Sequence, residues 1–367
     1  MRKIFYILVL LVPLVSCKKA SENIVWERSY GKGRAAFVKN TGDTAFLSCG
    51  ELDGKQYLLL TDHKGTKKLE YKSGISGILT AAYAGNGYFI AAGSSGGKLS
   101  ISRIDTAGTL IWDTLFTSSF TVEHSVLCHL SGTSFMAIGS ADPDSSFKTD
   151  TGISILWFDA DGNIAEKRDT LSTGSYVAVK DAAADNSGNF YLAITRNSTT
   201  GKLKSSVALF NSTMDRIWER ELSNNPQFGA ASLAIAVDDN NNPVISGRTE
   251  MQVSTGTTDN AFVARYFHKG DSVQKTYLEY INSASAISRN SSGEFMVLNS
   301  GCLVVNIMDE RMKVSGFVRT FSSCDSKTTD VFGYTMDVMN DGNIVMAGSK
   351  GTGYYLAVKS SSDLSPV

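Results

Sequence analysis

An all-β fold of seven four-stranded units, arranged as a propeller, is predicted by three features of this 367-residue chain. Turn signatures rich in Asn, Asp and Gly recur at intervals of 45 to 55 residues along its length. Each is followed by an apolar run of strand length rather than helix length. The third feature is a displaced segment: Ile24-Val25-Trp26-Glu27-Arg28, ahead of the first unit, nearly duplicates Arg216-Ile217-Trp218-Glu219-Arg220 inside a later one.

The first turn class reads Asn40-Thr41-Gly42-Asp43, Gly85-Asn86-Gly87, Ser131-Gly132-Thr133, Asn186-Ser187-Gly188, Asp239-Asn240-Asn241, Asn290-Ser291-Ser292-Gly293 and Asn340-Asp341-Gly342. Glycine and asparagine accept positive φ, and aspartate hydrogen-bonds its own backbone, so these are hairpin connections. The strands after them include Tyr88 to Gly93, Phe135 to Gly139, Phe190 to Ile194 and Ile344 to Gly348. A second turn follows in each unit, as in Asp62-His63-Lys64-Gly65, Asp105-Thr106-Ala107-Gly108 and Asp159-Ala160-Asp161-Gly162. A fourth stretch such as Leu110-Ile111-Trp112-Asp113 completes it, so each unit reads as four antiparallel strands, a to d.

Units of this size match the blades of a propeller, whose neighbouring sheets bury their faces against each other. The last unit lacks a fourth strand before Val367, and the displaced segment at Ile24 supplies it, closing the ring. Closure removes exposed sheet edges. A generic β-sandwich also has short strands between regular turns, but it leaves the displaced strand unexplained. Trp26, Trp112 and Trp218 share one strand position, which points to blade packing, and Trp157 in strand c is a further core candidate.

The amino terminus is an address. Arg2 and Lys3 precede the apolar run Ile4 to Val15, which is too short for a stable membrane span and has the layout of a secretory signal, residues 1–16. Residues 17–23 form a tether and 24–367 a single propeller domain. Leu14-Val15-Ser16-Cys17 resembles a bacterial lipobox. Together with turns and strands such as Asn340-Asp341-Gly342-Asn343 and Gly348-Ser349, it makes the chain similar to Bacteroidetes-like lipoproteins carrying a seven-bladed propeller. That resemblance implies cleavage before Cys17, acylation there with palmitate-type chains, and anchoring in the cell envelope. Because Lys18 follows the cysteine, it implies the outer membrane, with the periplasmic or surface face left open.

Charge and motifs exclude several chemistries. The 35 basic and 36 acidic residues nearly cancel, so no nucleic-acid footprint exists. None of the four histidines, His63, His124, His129 and His268, has zinc-motif spacing. Asp159-Ala160-Asp161-Gly162 begins like a calcium loop, but Thr170 stands where the closing glutamate belongs. Nucleophile-elbow and phosphate-loop motifs are absent, and no cofactor or metal is expected. Beyond Cys17 four cysteines remain: a Cys302–Cys324 disulfide fits their positions in one unit, while Cys49 and Cys128 read as buried thiols.

Loop lengths give the positional hint. Connections between strands b and c lengthen at Ser140 to Gly152, Arg196 to Lys204 and Arg248 to Asn260, on the face shared with the d-to-a crossovers. Elaborated loops on a rigid scaffold mark a binding face. Its expected lining is Phe120, His124, Asp142, Asp144, Phe228, Arg248, Asp330 and Phe332. The functional expectation is a non-catalytic binding or scaffold module for an envelope protein or glycan. The alternative is a propeller enzyme acting on glycans, or using a quinone-type cofactor, through acids at the channel mouth.

Overall fold

A computed structural model describes residues 24–42, 45–141, 151–172, 177–197, 202–222, 229–253, 256–267, 270, 272–278, 283–299, 304–319, 331–359 and 365–366. The signal, the lipobox and the tether lie outside these residues, as do Cys302 and Cys324. Every regular element among the described residues is a β-strand, and the strands form six sheets.

Four sheets are simple four-stranded meanders in chain order. They are β5 (Ile78–Gly85) to β8 (Leu110–Phe116), β9 (His124–Ser131) to β12 (Ile164–Ser172), β13 (Val177–Ala184) to β16 (Arg216–Glu221), and β17 (Ala230–Val237) to β20 (Val273–Leu278). The fifth, β21 (Ala284–Arg289) to β24 (Val314–Arg319), gains at its outer edge the two-residue strand β28 (Ser365–Pro366). The sixth has seven strands, in the order β25 (Val331–Val338), β26 (Ile344–Lys350), β27 (Gly353–Lys359), β1 (Ile24–Asn40), β2 (Ala45–Leu52), β3 (Lys55–Asp62) and β4 (Lys67–Ser76). β1 joins its two halves. Residues Ile24 to Lys32 pair with β27, and Gly33 to Asn40 pair with β2.

Burial explains the sequence pattern strand by strand. Second strands such as β6 (Tyr88–Ser95), β22 (Phe295–Asn299) and β26 are buried almost throughout, because neighbouring sheets cover both of their faces. They therefore read as continuous apolar runs. Fourth strands such as β8 face solvent along most of their length. The core is divided into layers, each shared by two successive sheets. Ile90 and Ala92 meet Phe135, Ala137 and Leu156 in one layer, and Tyr191, Val207 and Trp218 meet Ile245, Phe262 and Tyr266 in another. Full burial of one such side chain contributes about 1.5–3 kcal/mol.

Both turn classes use one device. The Asp62 carboxylate accepts the backbone N–H groups of Lys64 and Thr66 at 2.9 and 2.8 Å, and Asp185 holds Ser187 and Asn189 in the same way. These backbone hydrogen bonds keep the Asp62 carboxyl below its ordinary range. The Asp159 turn is built alike: its carboxylate takes the N–H groups of Asp161 and Asn163, a capping role rather than that of a cation loop.

The fourth residue of the second turn has positive φ and faces the outer strand of the preceding unit. Where it is Gly65, Gly162 or Gly270, a tryptophan ring covers it: Trp26, Trp112 and Trp218 respectively. Where it is Met214 or Met312, its own buried side chain fills that space, and Arg168 or Thr276 from the preceding unit donates to its carbonyl oxygen. A large residue thus comes from one side of each of these joints. Trp157 is half-buried against the layer shared by the second and third meanders, β9–β12 and β13–β16. Cys49 and Cys128 are buried free thiols, and burial pushes both well above the ordinary thiol range.

One loop expectation is corrected. Arg248 to Asn260 is mostly not loop, since β18 (Pro243–Val253) and β19 (Gly256–Tyr266) continue their ladder to the pair Val253 and Gly256. The ladder runs on past the last residues paired with β17 and β20, Thr249 and Ala261, so the insertion is a projecting hairpin.

Candidate functional site

The first strands of the repeated units, β1, β5, β9, β13, β17, β21 and β25, all line one central cavity of about 1350 Å³. Small residues let them crowd together: Ala81, Ala82, Ala84, Ala182, Ala183, Ala234 and Ala236 form much of the wall. Six of these strands carry a bulge, near the start in all but β1, leaving Ala36, Thr80, Lys180, Leu233, Ser285 and Tyr334 as the extra residues. A bulge adds twist and re-aims the residues around it.

The bulge also accounts for the glycine that recurs near the end of the second strand. Gly50, Gly93 and Gly247 each lie across from the residue preceding a bulge. There an added Cβ would sit 2.1, 2.2 and 2.1 Å from the carbonyl oxygens of Arg34, Ile78 and Ala231. No side chain fits.

Two carboxylates face the cavity and tie adjacent strands together. Asp337 on β25 accepts from Ser288 Oγ at 2.6 Å, from the Asn40 backbone N–H at 2.9 Å, and from Lys39 Nζ. Asp181 on β13 accepts the N–H of Ile235 at 3.0 Å and that of Ala182 at 2.8 Å. Enclosed by the ring of strands, though still touching channel solvent, Asp181 has its pKa pushed up to about 6 by desolvation, against the opposing pull of those two amides, Lys39 and Lys180. The folded chain therefore retains a proton that the unfolded chain releases near its ordinary value of 3.8, and stability declines as pH rises from about 4 to about 6. Asp181→Asn keeps an acceptor for Ile235 and removes this penalty. In thermal unfolding from pH 4 to pH 7 the variant should gain on the wild type by an amount on the order of 1–2 kcal/mol. A constant difference across that range would refute the assignment.

Two of the expected site residues meet at this cavity. His124 opens β9, its Nε2 lying 2.8 Å from the Lys180 carbonyl oxygen, and Arg248 reaches the cavity wall from β18. The projecting hairpin beyond Arg248 is braced. Glu250 bonds Lys202 at 2.7 Å across the joint with the preceding unit, and its N–H donates to the Gly229 carbonyl at 2.9 Å. Phe120 is placed differently: its half-buried ring packs into the layer shared by the β5–β8 and β9–β12 sheets, where a side chain on Gly152 would sit. Phe332 is a residue of β25 across from Ser349. Asp142, Asp144, Phe228 and Asp330 lie outside the described residues.

Sequence reasoning missed Asp181, Asp337 and Lys39. A signal for them existed: in Val177-Ala178-Val179-Lys180-Asp181-Ala182 and Met336-Asp337-Val338, charge interrupts an otherwise apolar strand. Among the described residues no cluster of three or more His, Cys, Asp or Glu could hold a metal ion, and no helix is long and apolar enough to cross a membrane.

No family model matches the chain, and no curated protein is similar to it in sequence. Solved structures are similar in fold. The WD40 domain of Neurospora crassa Pan2 is 12% identical, with 90% of this chain and 91% of that one covered and a TM-score of 0.58. The WD40 β-propeller domain of Doa1 is 13% identical over 93% of this chain and 97% of that one, TM-score 0.59. A streptogramin B lyase is 12% identical over 93% and 98%, TM-score 0.58. At such identities the likeness extends to fold alone. Sheets packed in series around a common cavity, and these neighbours, make the chain a β-propeller.

Proposed function

We propose that this chain is a seven-bladed propeller closed by β1, held in the cell envelope by a lipid on Cys17, that binds a protein or glycan partner on the face carrying the β18–β19 hairpin, without turnover. Seven blades follow if β1 is counted twice, as the outer strand beside β27 and as the inner strand beside β2. The core layer of Ala35, Phe46 and Tyr57 with Tyr354, Leu356 and Val358 supports that closure. Two of the structural neighbours are WD40 domains, a fold suited to scaffolding.

The observation that carries the binding reading is the braced hairpin beside the channel mouth. A ladder that outruns its sheet, held at its root by Glu250 to Lys202 and Gly229, has less freedom to lose on association than a loose loop. A catalytic reading draws on the cavity, which is large enough for a small ligand. Against it, Asp181 and Asp337 are both engaged by neighbouring strands rather than presented as a pair.

Crosslinking and pull-down of the full chain from intact cells, with surface protease accessibility scored in the same sample, tests the proposal. One stoichiometric envelope partner is expected, with its yield falling several-fold for Arg248→Ala while unfolding is unchanged. Loss of no partner on Arg248→Ala, together with turnover of a glycan substrate, would move the assignment to the enzyme.

A further inference from the structure

The direction of β1 decides which side of the propeller an amino-terminal anchor can reach. Ile24 lies across from Lys359, which lies across from Ile344, the first residue after the 339–343 turn. At the other end of the same ladder Lys32 lies across from Gly353, beside the 351–352 connection. The chain therefore enters β1 on the side of the tight a–b and c–d turns. It runs toward the opposite side, where the β18–β19 hairpin and the crossovers lie.

Distances make this restrictive. Residues 17–23 span about 25 Å when fully extended, and a flexible chain of that length averages about 15 Å end to end. The seven residues of β27 are themselves about 23 Å tall. A bilayer holding Cys17 can thus touch the turn side easily, and reaching the hairpin side would need the whole tether stretched along the rim. The surface at the entry point suits headgroups. Val25 is 56% exposed, His63 and Lys64 are exposed in the adjacent turn, and Trp26 lies over Gly65 of that turn. Lys18 and Lys19 add charge in the tether itself.

We infer that the turn side, at the corner formed by Val25 and the Asp62–Thr66 turn, lies against the bilayer that holds Cys17, so that Arg248 and the hairpin point away from it. This rests on the lipid anchor proposed above. Exposed apolar and basic groups beside a lipid attachment add to membrane affinity.

The test is amine footprinting of the full lipidated chain on phosphatidylglycerol-containing vesicles, with the Cys17→Ser chain in the same suspension as reference. Lys64 reports the turn side, and Lys98, exposed where β7 (Lys98–Asp105) follows the connection from β6, reports the other. The expected result is several-fold slower labelling of Lys64 on the anchored protein, with Lys98 unchanged. Protection of Lys98 instead, or of neither, on protein that floats with the vesicles would overturn the orientation while leaving the anchor intact. If wild type and Cys17→Ser both stay off the vesicles, the anchor reading fails and the orientation falls with it.

Discussion

Trp218→Ala should destabilise the protein by about 3–5 kcal/mol, the range for removing a large aromatic from a core that cannot collapse around the gap. Trp218 is 8% exposed although it stands on an outer strand, because its ring crosses to the next sheet. It covers Gly270, where a Cβ would lie 3.0 Å from the indole, stacks on Tyr266 at 6.5 Å, and tilts against Tyr191 at 6.1 Å. Its neighbour Ile217 is 54% exposed, and Ile217→Ala should stay within about 0.5 kcal/mol. Denaturant midpoints for the two variants provide the comparison. A sharper version asks whether the joint obeys size complementarity. Met214 and Met312 occupy the position of Gly270 at φ near 60°, so Gly270→Met in the Trp218→Ala background should recover part of the loss. Equal effects of Trp218→Ala and Ile217→Ala, or no recovery in the double variant, would remove the tryptophan from its proposed role.

Gly247→Ala should cost roughly 3 kcal/mol, the upper part of the usual overpacking range. The new methyl would lie 2.1 Å from the Ala231 carbonyl oxygen and 2.8 Å from the Phe262 ring. The ring could move; the carbonyl is fixed by the bulge at Leu233. Because β17 lines the cavity, the backbone shift should also loosen the hairpin that starts from β18. The control is Gly188→Asn. Gly188 has φ of 79° with open space around it, and Asn241 occupies the same place in its own Asp-initiated turn at 60°. That change should be nearly neutral, because asparagine tolerates the left-handed region. Thermal unfolding of both variants separates steric exclusion from backbone preference. A mild Gly247→Ala would mean that the bulge can relax.

The repeat and its strands were legible in the sequence because turn chemistry is local. Asp62, Asp185 and Asp238 act on amides two and four residues away, and the glycine or asparagine three residues on supplies the required φ. The tryptophan position was legible for the same reason, since one joint geometry recurs. The candidate site was read less well. His124 and Arg248 stand next to a crossover and an insertion, and both reach the cavity wall. Asp181 and Asp337 sit within apolar strands, and their partners Ile235 and Asn40 are 54 and 297 residues away. The hairpin reads as loop in the sequence because Thr, Glu and Gln serve equally in a β-ladder and in coil.

By itself, then, the sequence determined the strand-turn unit, its recurrence and the need for a strand from the amino terminus, all of which rest on contacts between near neighbours or on repetition. Tertiary structure alone decided which carboxylates face the channel, which glycines admit no side chain, and on which side β1 begins. Those depend on the stacking of sheets far apart in the chain, where a carbonyl or an amide is brought into place by residues that no local pattern records.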